Sequence, residues 1–316
     1  MKKIFEDTLN TVKAKFKKND LLGPEFLKAA AISNMNGLKM LLSKEADPNY
    51  QNTANLKTAL HLAVEKNDLP LVEFLLLAGA SGALKDSTQN TPLLFAVEKN
   101  LQKIIKTLCG NPATSGIKEL NFAGETVVNV ALRIQQIKVA LFLLDHGADP
   151  DASLRRALVS NDESQIGWLC GHGANPNIAD PAGVSPLSRA AQDGDVKKMA
   201  KWIAWGADIN YKGGNGHLVR TKDWTPLMIA IEHGRREASA FLLARPNIDF
   251  AYATHGGVTA STLAISKGDF ESVEKLKAKG AKLPEKLSDG TTPLMLAANS
   301  GNSNLVQFVL DWQSQK

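Results

Sequence analysis

The stretch Thr58-Ala59-Leu60-His61-Leu62-Ala63-Val64, followed by Asn67-Asp68, then Leu71-Val72-Glu73-Phe74-Leu75-Leu76 and finally Gly79-Ala80, decides the fold of this chain. It holds two short apolar runs at helical spacing, with a break after each. Threonine caps a helix start through its hydroxyl. The Leu-x-x-Ala pattern gives the first helix a small-residue face, so a second helix can pack closely. Asparagine and glycine tolerate the left-handed backbone in which helices end. Working outward, related stretches open at Thr91-Pro92-Leu93, Thr126-Val127-Val128, Ser185-Pro186-Leu187, Thr225-Pro226-Leu227, Thr259-Ala260-Ser261 and Thr292-Pro293-Leu294. Two degenerate copies centre on Phe26 and Leu154. Proline suits the first helical position, where its missing N–H had no partner. Asn67, Asn100, Asn161, Gly194, Gly234, Gly268 and Gly301 mark the ends of first helices; Gly79, Gly147, Gly173, Gly206 and Gly280 mark the ends of second ones. Asp-x-Asn often follows, as in Asp47-Pro48-Asn49 and Asp208-Ile209-Asn210, and leads into a polar finger that reverses the chain.

Equating Phe26, Leu60, Leu93, Val128, Leu154, Leu187, Leu227, Ser261 and Leu294 gives steps of 34, 33, 35, 26, 33, 40, 34 and 33 residues. A period near 33 with a T-P-L-H-x-A signature resembles the ankyrin repeat. Nine copies cover roughly residues 24–312. The resemblance implies an all-α fold, an ankyrin-repeat solenoid of helix-turn-helix pairs with β-hairpin-like fingers over residues 23–316, each unit stabilised by stacking on its neighbours. It also implies a non-catalytic protein-protein interaction module or scaffold, cytoplasmic and monomeric, that binds a partner through its concave face. In the family that face combines finger tips with two residues near the end of each first helix. Here these are Glu65 and Lys66, Glu98 and Lys99, Arg133 and Ile134, Val159 and Ser160, Gln192 and Asp193, Glu232 and His233, Ser266 and Lys267, and Asn299 and Ser300. Degenerate, uneven repeats with a lysine- and asparagine-rich composition are also similar to ankyrin proteins that intracellular bacteria deliver into host cells, which implies an effector.

Composition bounds the other classes. The 316 residues are 44% hydrophobic and 22% charged, a balance that supports a sizeable core and excludes wholesale disorder. The longest apolar run, Leu69 to Ala80, is interrupted by Glu73 and is too short to span a bilayer. Met1-Lys2-Lys3 is followed by Glu6 and Asp7 where a signal peptide would turn apolar. Two cysteines, Cys109 and Cys170, build no disulfide framework and favour a reducing compartment. Residues 1–22 are expected to form an N-terminal capping helix, with Ile4, Phe5, Leu9, Val12 and Phe16 on one side and lysines on the other. The same pattern also fits a helix lying on anionic lipid.

Two departures from the period stand out. Between Asp149-Pro150 and Leu154 the finger is almost absent, and a change of curvature is expected near 150–154, between repeats four and five of one continuous stack. Between Asn210 and Trp224 the finger grows by about seven residues, which reads either as a tolerated surface loop or as a binding element. From Lys197 to Lys222 six cations face one acid, Asp208, an excess of +5 that equals the net charge of the whole chain. Tyr211, Lys212, His217, Arg220, Lys222 and Trp224 of this finger, Tyr252 and His255 of the next, and Glu232 and His233 at the intervening helix end are the candidate partner-binding residues. Tyr211, Trp224, Tyr252 and His255 are expected to form an exposed aromatic strip with Trp224 as its anchor, and the cations to attract an acidic protein. The alternative is electrostatic binding to anionic membrane lipid or nucleic acid through the basic N-terminal helix and the 197–222 cluster.

Chemical sites do not assemble. His61 holds the motif position at which an imidazole serves the turn by hydrogen bonding, and His146 and His172 stand at helix ends, where a cation suits the helix dipole. Cys170-Gly171-His172 has no second pair at zinc spacing. Gly213-Gly214-Asn215-Gly216 lacks the strand, lysine and helix of a phosphate loop. Cys109 and Cys170 occupy apolar helix positions. Trp168 and Trp202 are expected to pack, and Trp205 to be half exposed. No catalytic residue, metal or cofactor is expected.

Overall fold

A computed structural model describes residues 21–110, 115–213 and 223–314. All but the last two residues of the expected capping helix over 1–22 lie outside the described residues. Those described form short helices in pairs, with no strand among them beyond an isolated antiparallel bridge between Ala253 and Thr259. None of their helices is long and apolar enough to cross a membrane.

The chain divides into two compact units between His172 and Gly173. The first holds the pairs α1 (21–31) and α2 (Met35–Ser43), α3 (Ala59–Glu65) and α4 (Leu69–Leu77), α5 (Pro92–Glu98) and α6 (Gln102–Cys109), α7 (Val127–Arg133) and α8 (Ile137–Asp145), and α9 (Pro150–Ser160) and α10 (Glu163–Gly171). The second holds α11 (Pro186–Asp193) and α12 (Val196–Ala204), α13 (Pro226–Glu232) and α14 (Arg236–Leu243), α15 (Ala260–Ser266) and α16 (Phe270–Ala278), and α17 (Pro293–Asn299) and α18 (Ser303–Ser314). Within each unit the first helices stack in one layer and the second helices in another: α3, α5, α7 and α9 in the first unit, α11, α13, α15 and α17 in the second.

The local chemistry accounts for this arrangement. The hydroxyls of Thr58, Thr91, Thr126, Ser185, Thr225, Thr259 and Thr292 each accept the backbone N–H three residues on, a cap worth about 1 kcal/mol. The small residue of every Leu-x-x-Ala copy is buried between the layers: Ala29, Ala63, Ala96, Ala131, Ala157, Ala190, Ala230, Ala264 and Ala297. All seven first-helix stops read from the sequence have positive φ, as do the five glycines that end second helices. Ser33 and Glu45 in the degenerate first repeat and Gln135 in the fourth take the same left-handed backbone, with φ of 53°, 67° and 60°.

The division at 172/173 falls one repeat beyond the short step expected to mark the seam. Repeat five is tied to repeat four by a buried polar network that the short finger brings into reach. The hydroxyls of Thr126 and Ser153 lie 2.7 Å apart, and Asn129 Nδ2 donates to Ser153 O at 3.0 Å and to Gln165 Oε1 at 2.8 Å.

The Asp-x-Asn motif does more than start a finger. Asn49 Oδ1 accepts from Ser81 N at 2.7 Å while its Nδ2 donates to Gly79 O at 3.2 Å. In the second unit Asn210 pairs in the same way with Asp249 N and Asn247 O, both at 2.8 Å, and Asn177, of the variant Asn175-Pro176-Asn177, accepts through Oδ1 from Asp208 N at 2.9 Å. Each asparagine thus clamps the main chain of the next repeat.

Candidate functional site

Among the described residues, fingers are tight turns closed by their own polar side chains. Asp86 Oδ1 accepts the N–H groups of Thr88 and Asn90, Asp180 Oδ1 those of Ala182 and Val184, and Thr254 Oγ1 that of Val258. These bonds hold the Asp86 and Asp180 carboxyls below the usual carboxylate range although burial opposes ionisation. A finger closed in this way presents its tip residues at low entropic cost.

In the second unit the fingers bring together part of the expected strip. Lys212 Nζ sits 4.1 Å from the centre of the Tyr252 ring, joining two successive fingers. Burial, with the carboxylates of Asp223 and Asp249, pushes the Tyr252 phenol above its ordinary range. His255 is exposed at the tip of its finger. Tyr211 is half buried and folds back on its own finger: a Cβ on Gly213 would fall 2.5 Å from its Cε1. The expected anchor is a correction. Trp224 is only 7% exposed and belongs to the core, because it directly precedes the capping Thr225, where an apolar side chain packs back toward the fourth helical residue, here the buried Ile229. His217, Arg220 and Lys222 lie outside the described residues.

Several of the helix-end residues are already engaged. Glu232 accepts from Lys267 Nζ at 2.7 Å, and His233 Nδ1 donates to Ile229 O at 3.0 Å, capping α13. Glu65 pairs with Lys57, Arg133 with Glu125 at 3.0 Å, and Lys66 donates to Ala31 O. Of the basic cluster, Lys197, Lys198 and Lys201 are exposed on α12 and Lys212 stands on the finger. Lys198 lies 3.8 Å from Asp195.

The histidines and cysteines have structural work. His61 Nδ1 accepts from Thr58 N at 3.1 Å and its Nε2 donates to Asn90 O at 3.1 Å, so the ring links a cap to the next finger. Burial lowers its pKa, keeping the ring neutral. His146 and His172 cap their helices by donating Nδ1–H to Phe142 O and Trp168 O at 2.8 and 2.7 Å, and stack on the rings of those residues. Burial pushes the Cys109 thiol up to about 12, and burial with the Asp151 charge pushes Cys170 up to about 11, so neither carries a thiolate at neutral pH. Trp202 is buried, Trp168 is half buried, and Trp205 is half exposed with its ring edge-on to Trp202.

One exposed group was not singled out from the sequence. Phe122, at the finger tip beside the short-finger repeat, is 88% exposed, and Arg156 on α9 lies under that tip. The 26-residue step was the signal that could have found them.

Comparison with known proteins agrees with the geometry. The family model for ankyrin repeats in three copies matches residues 26–119, 60–153 and 154–254, and the single ankyrin-repeat model matches residues 289–313. The chain is 32% identical over 213 residues to the mouse (Mus musculus) B-cell lymphoma 3 protein homolog, covering 64% of this chain and 45% of that protein. It is also 32% identical over 139 residues to human NF-kappa-B inhibitor alpha, covering 41% of this chain and 44% of that protein. The chain spans less than half the length of these curated relatives. The crystal structure of the ankyrin repeat domain of Bcl-3, a member of the IkappaB protein family, aligns with a TM-score of 0.50 at 26% identity, over 69% of this chain and 97% of that one. Repeated caps, paired helices, closed fingers and matching family models together place the chain in the ankyrin-repeat family.

Proposed function

We propose that this chain is a non-catalytic protein-binding module whose second unit engages a partner through adjacent fingers, with Lys212, Tyr252 and His255 at the contact. The observation that carries the reading is the Lys212 ammonium over the Tyr252 ring, which presents a cation and an aromatic together. Asp223 and Asp249 bear on the same phenol, so the surface offers both signs of charge and would fix the register of a partner as well as attract an acidic group. His217, Arg220 and Lys222 extend the basic side of this surface by sequence. Action in the cytoplasm, or in a host cell after delivery by a bacterium, rests on the two free cysteines and the lysine- and asparagine-rich composition. The test compares affinity capture by the wild-type chain and by the Lys212→Ala/Tyr252→Ala double variant, with captured proteins identified by mass spectrometry. Loss of specific partners from the variant is the expected result; an identical set of partners would place the site elsewhere.

A further inference from the structure

We propose a second binding site, in the first unit: an extended acidic segment of a partner protein lies over α9, where repeat five lacks its finger. The residues that would have made that finger are instead helical. α9 is 11 residues long against 7 or 8 for the other first helices from α3 onward, and it starts at Pro150, directly after its cap Asp149.

Three groups stand beside the vacancy. In two of the successive finger pairs the carbonyl of the residue before the left-handed tip residue accepts from the next finger: Ser87 N donates to Asn55 O at 2.9 Å, and Ser288 N to Gly256 O at 3.2 Å, whereas Thr88 O, before Gln89, takes no such bond although a finger follows it. In the finger before the gap, Asn121-Phe122-Ala123-Gly124, the corresponding carbonyl is that of Ala123, since Gly124 has φ of 73°. Among the described residues nothing donates to it. Arg156 is the second group. Its Cδ would lie 3.9 Å from a Cβ on Gly124, its Nε is shielded from solvent without a hydrogen-bond partner, and no described residue accepts from its guanidinium. Arg133 and Arg189, by contrast, are held by Glu125 and Asp180. The third is apolar: Phe122 is 88% exposed, and so, at 78%, is Val159, which lies one turn beyond Arg156 on the same face of α9.

These groups define the occupant. A free carbonyl on a turn edge takes a backbone N–H from an extended chain, as in strand addition. An unpaired guanidinium takes a carboxylate through charge-assisted hydrogen bonds. Side chains two apart in an extended segment point the same way, so a carboxylate on Arg156 places an apolar neighbour two residues away toward Phe122 or Val159. The motif is therefore acidic-x-apolar or its reverse.

The test is selection of peptides from a random twelve-residue library displayed on phage, using the full chain as bait, with affinities then measured by fluorescence polarisation of the labelled peptides. Enriched peptides are expected to carry Asp or Glu two residues from a large apolar side chain. They should bind Arg156→Ala and Phe122→Ser each about tenfold or more weakly, and Lys212→Ala/Tyr252→Ala with unchanged affinity. Arg156 has no partner to lose and Phe122 is exposed, so both variants should keep the wild-type melting temperature. A library that yields no binder, peptides without an acidic residue, or affinities indifferent to Arg156 and Phe122 would overturn the proposal. Loss of binding only in the Lys212/Tyr252 variant would also overturn it, while leaving the second-unit site standing.

Discussion

Lys212 and Tyr252 come from successive fingers, and the ammonium of one lies 4.1 Å from the ring centre of the other. The contact is exposed, so it contributes about 0.5–1 kcal/mol. It joins the start of the long finger to the finger that follows. The phenol of Tyr252 is raised first by burial and then by the Asp223 and Asp249 charges, which disfavour phenolate. The Asp223→Asn/Asp249→Asn variant should therefore titrate Tyr252 closer to the ordinary phenol value of about 10. Phenolate absorbance in a Tyr50→Phe/Tyr211→Phe background isolates the group, and an unmoved midpoint would show that the two carboxylates do not act on it.

Replacing Trp224 by alanine should cost about 3–5 kcal/mol, the range for deleting a buried aromatic side chain. Substituting Tyr252, half exposed on its finger, should cost well under half of that. Urea unfolding followed by circular dichroism separates the two. Equal, small losses would mean that Trp224 does not anchor the start of α13.

His61 makes stability depend on pH. Burial keeps the folded ring neutral, with a pKa below the ordinary 6.5, while the unfolded chain takes up a proton in the usual range. The unfolded state then binds more protons, so stability is lost as pH falls below about 6.5. His61→Asn, which places the Asn129 arrangement of repeat four in repeat two, lacks this term. The stability of wild type minus that of His61→Asn should fall between about pH 7.5 and about pH 5 in urea midpoints. A pH-independent difference would be inconsistent with a neutral buried ring.

Asn129 and Ser153 share a buried network with Thr126 and Gln165. Removing either side chain strands a buried partner, at a cost of about 1–3 kcal/mol. Asn129→Ala and Ser153→Ala together should cost less than the two single losses added, because the second change removes groups already left unpaired. Strict additivity in a double-mutant cycle would show that the two residues do not communicate.

The repeat register, the threonine caps and the left-handed stops were legible because each depends on residues within four positions of one another. Thr58, Asn67 and Gly79 act locally, and their types announce their geometry. Ser33, Glu45 and Gln135 hold the same backbone without the residue type that signals it. Trp224 was misread for a different reason. Its position after a long basic finger reads as surface, while its position one residue before a cap reads as core, and the second governs. The Arg156 environment was left unread because, although the 26-residue step announces the missing finger, the residue type alone does not say which side chain borders the gap.

The asparagines of the Asp-x-Asn turns grip main-chain atoms of the following repeat, never its side chains. Such a joint does not ask what sequence comes next. A repeat copied, lost or enlarged during the history of the gene would find the same amide ready to receive it, with no compensating change in its neighbour. That indifference accounts for how a 40-residue step, which the Asn210 joint spans, persists beside steps of 33 and 34 within one array of repeats.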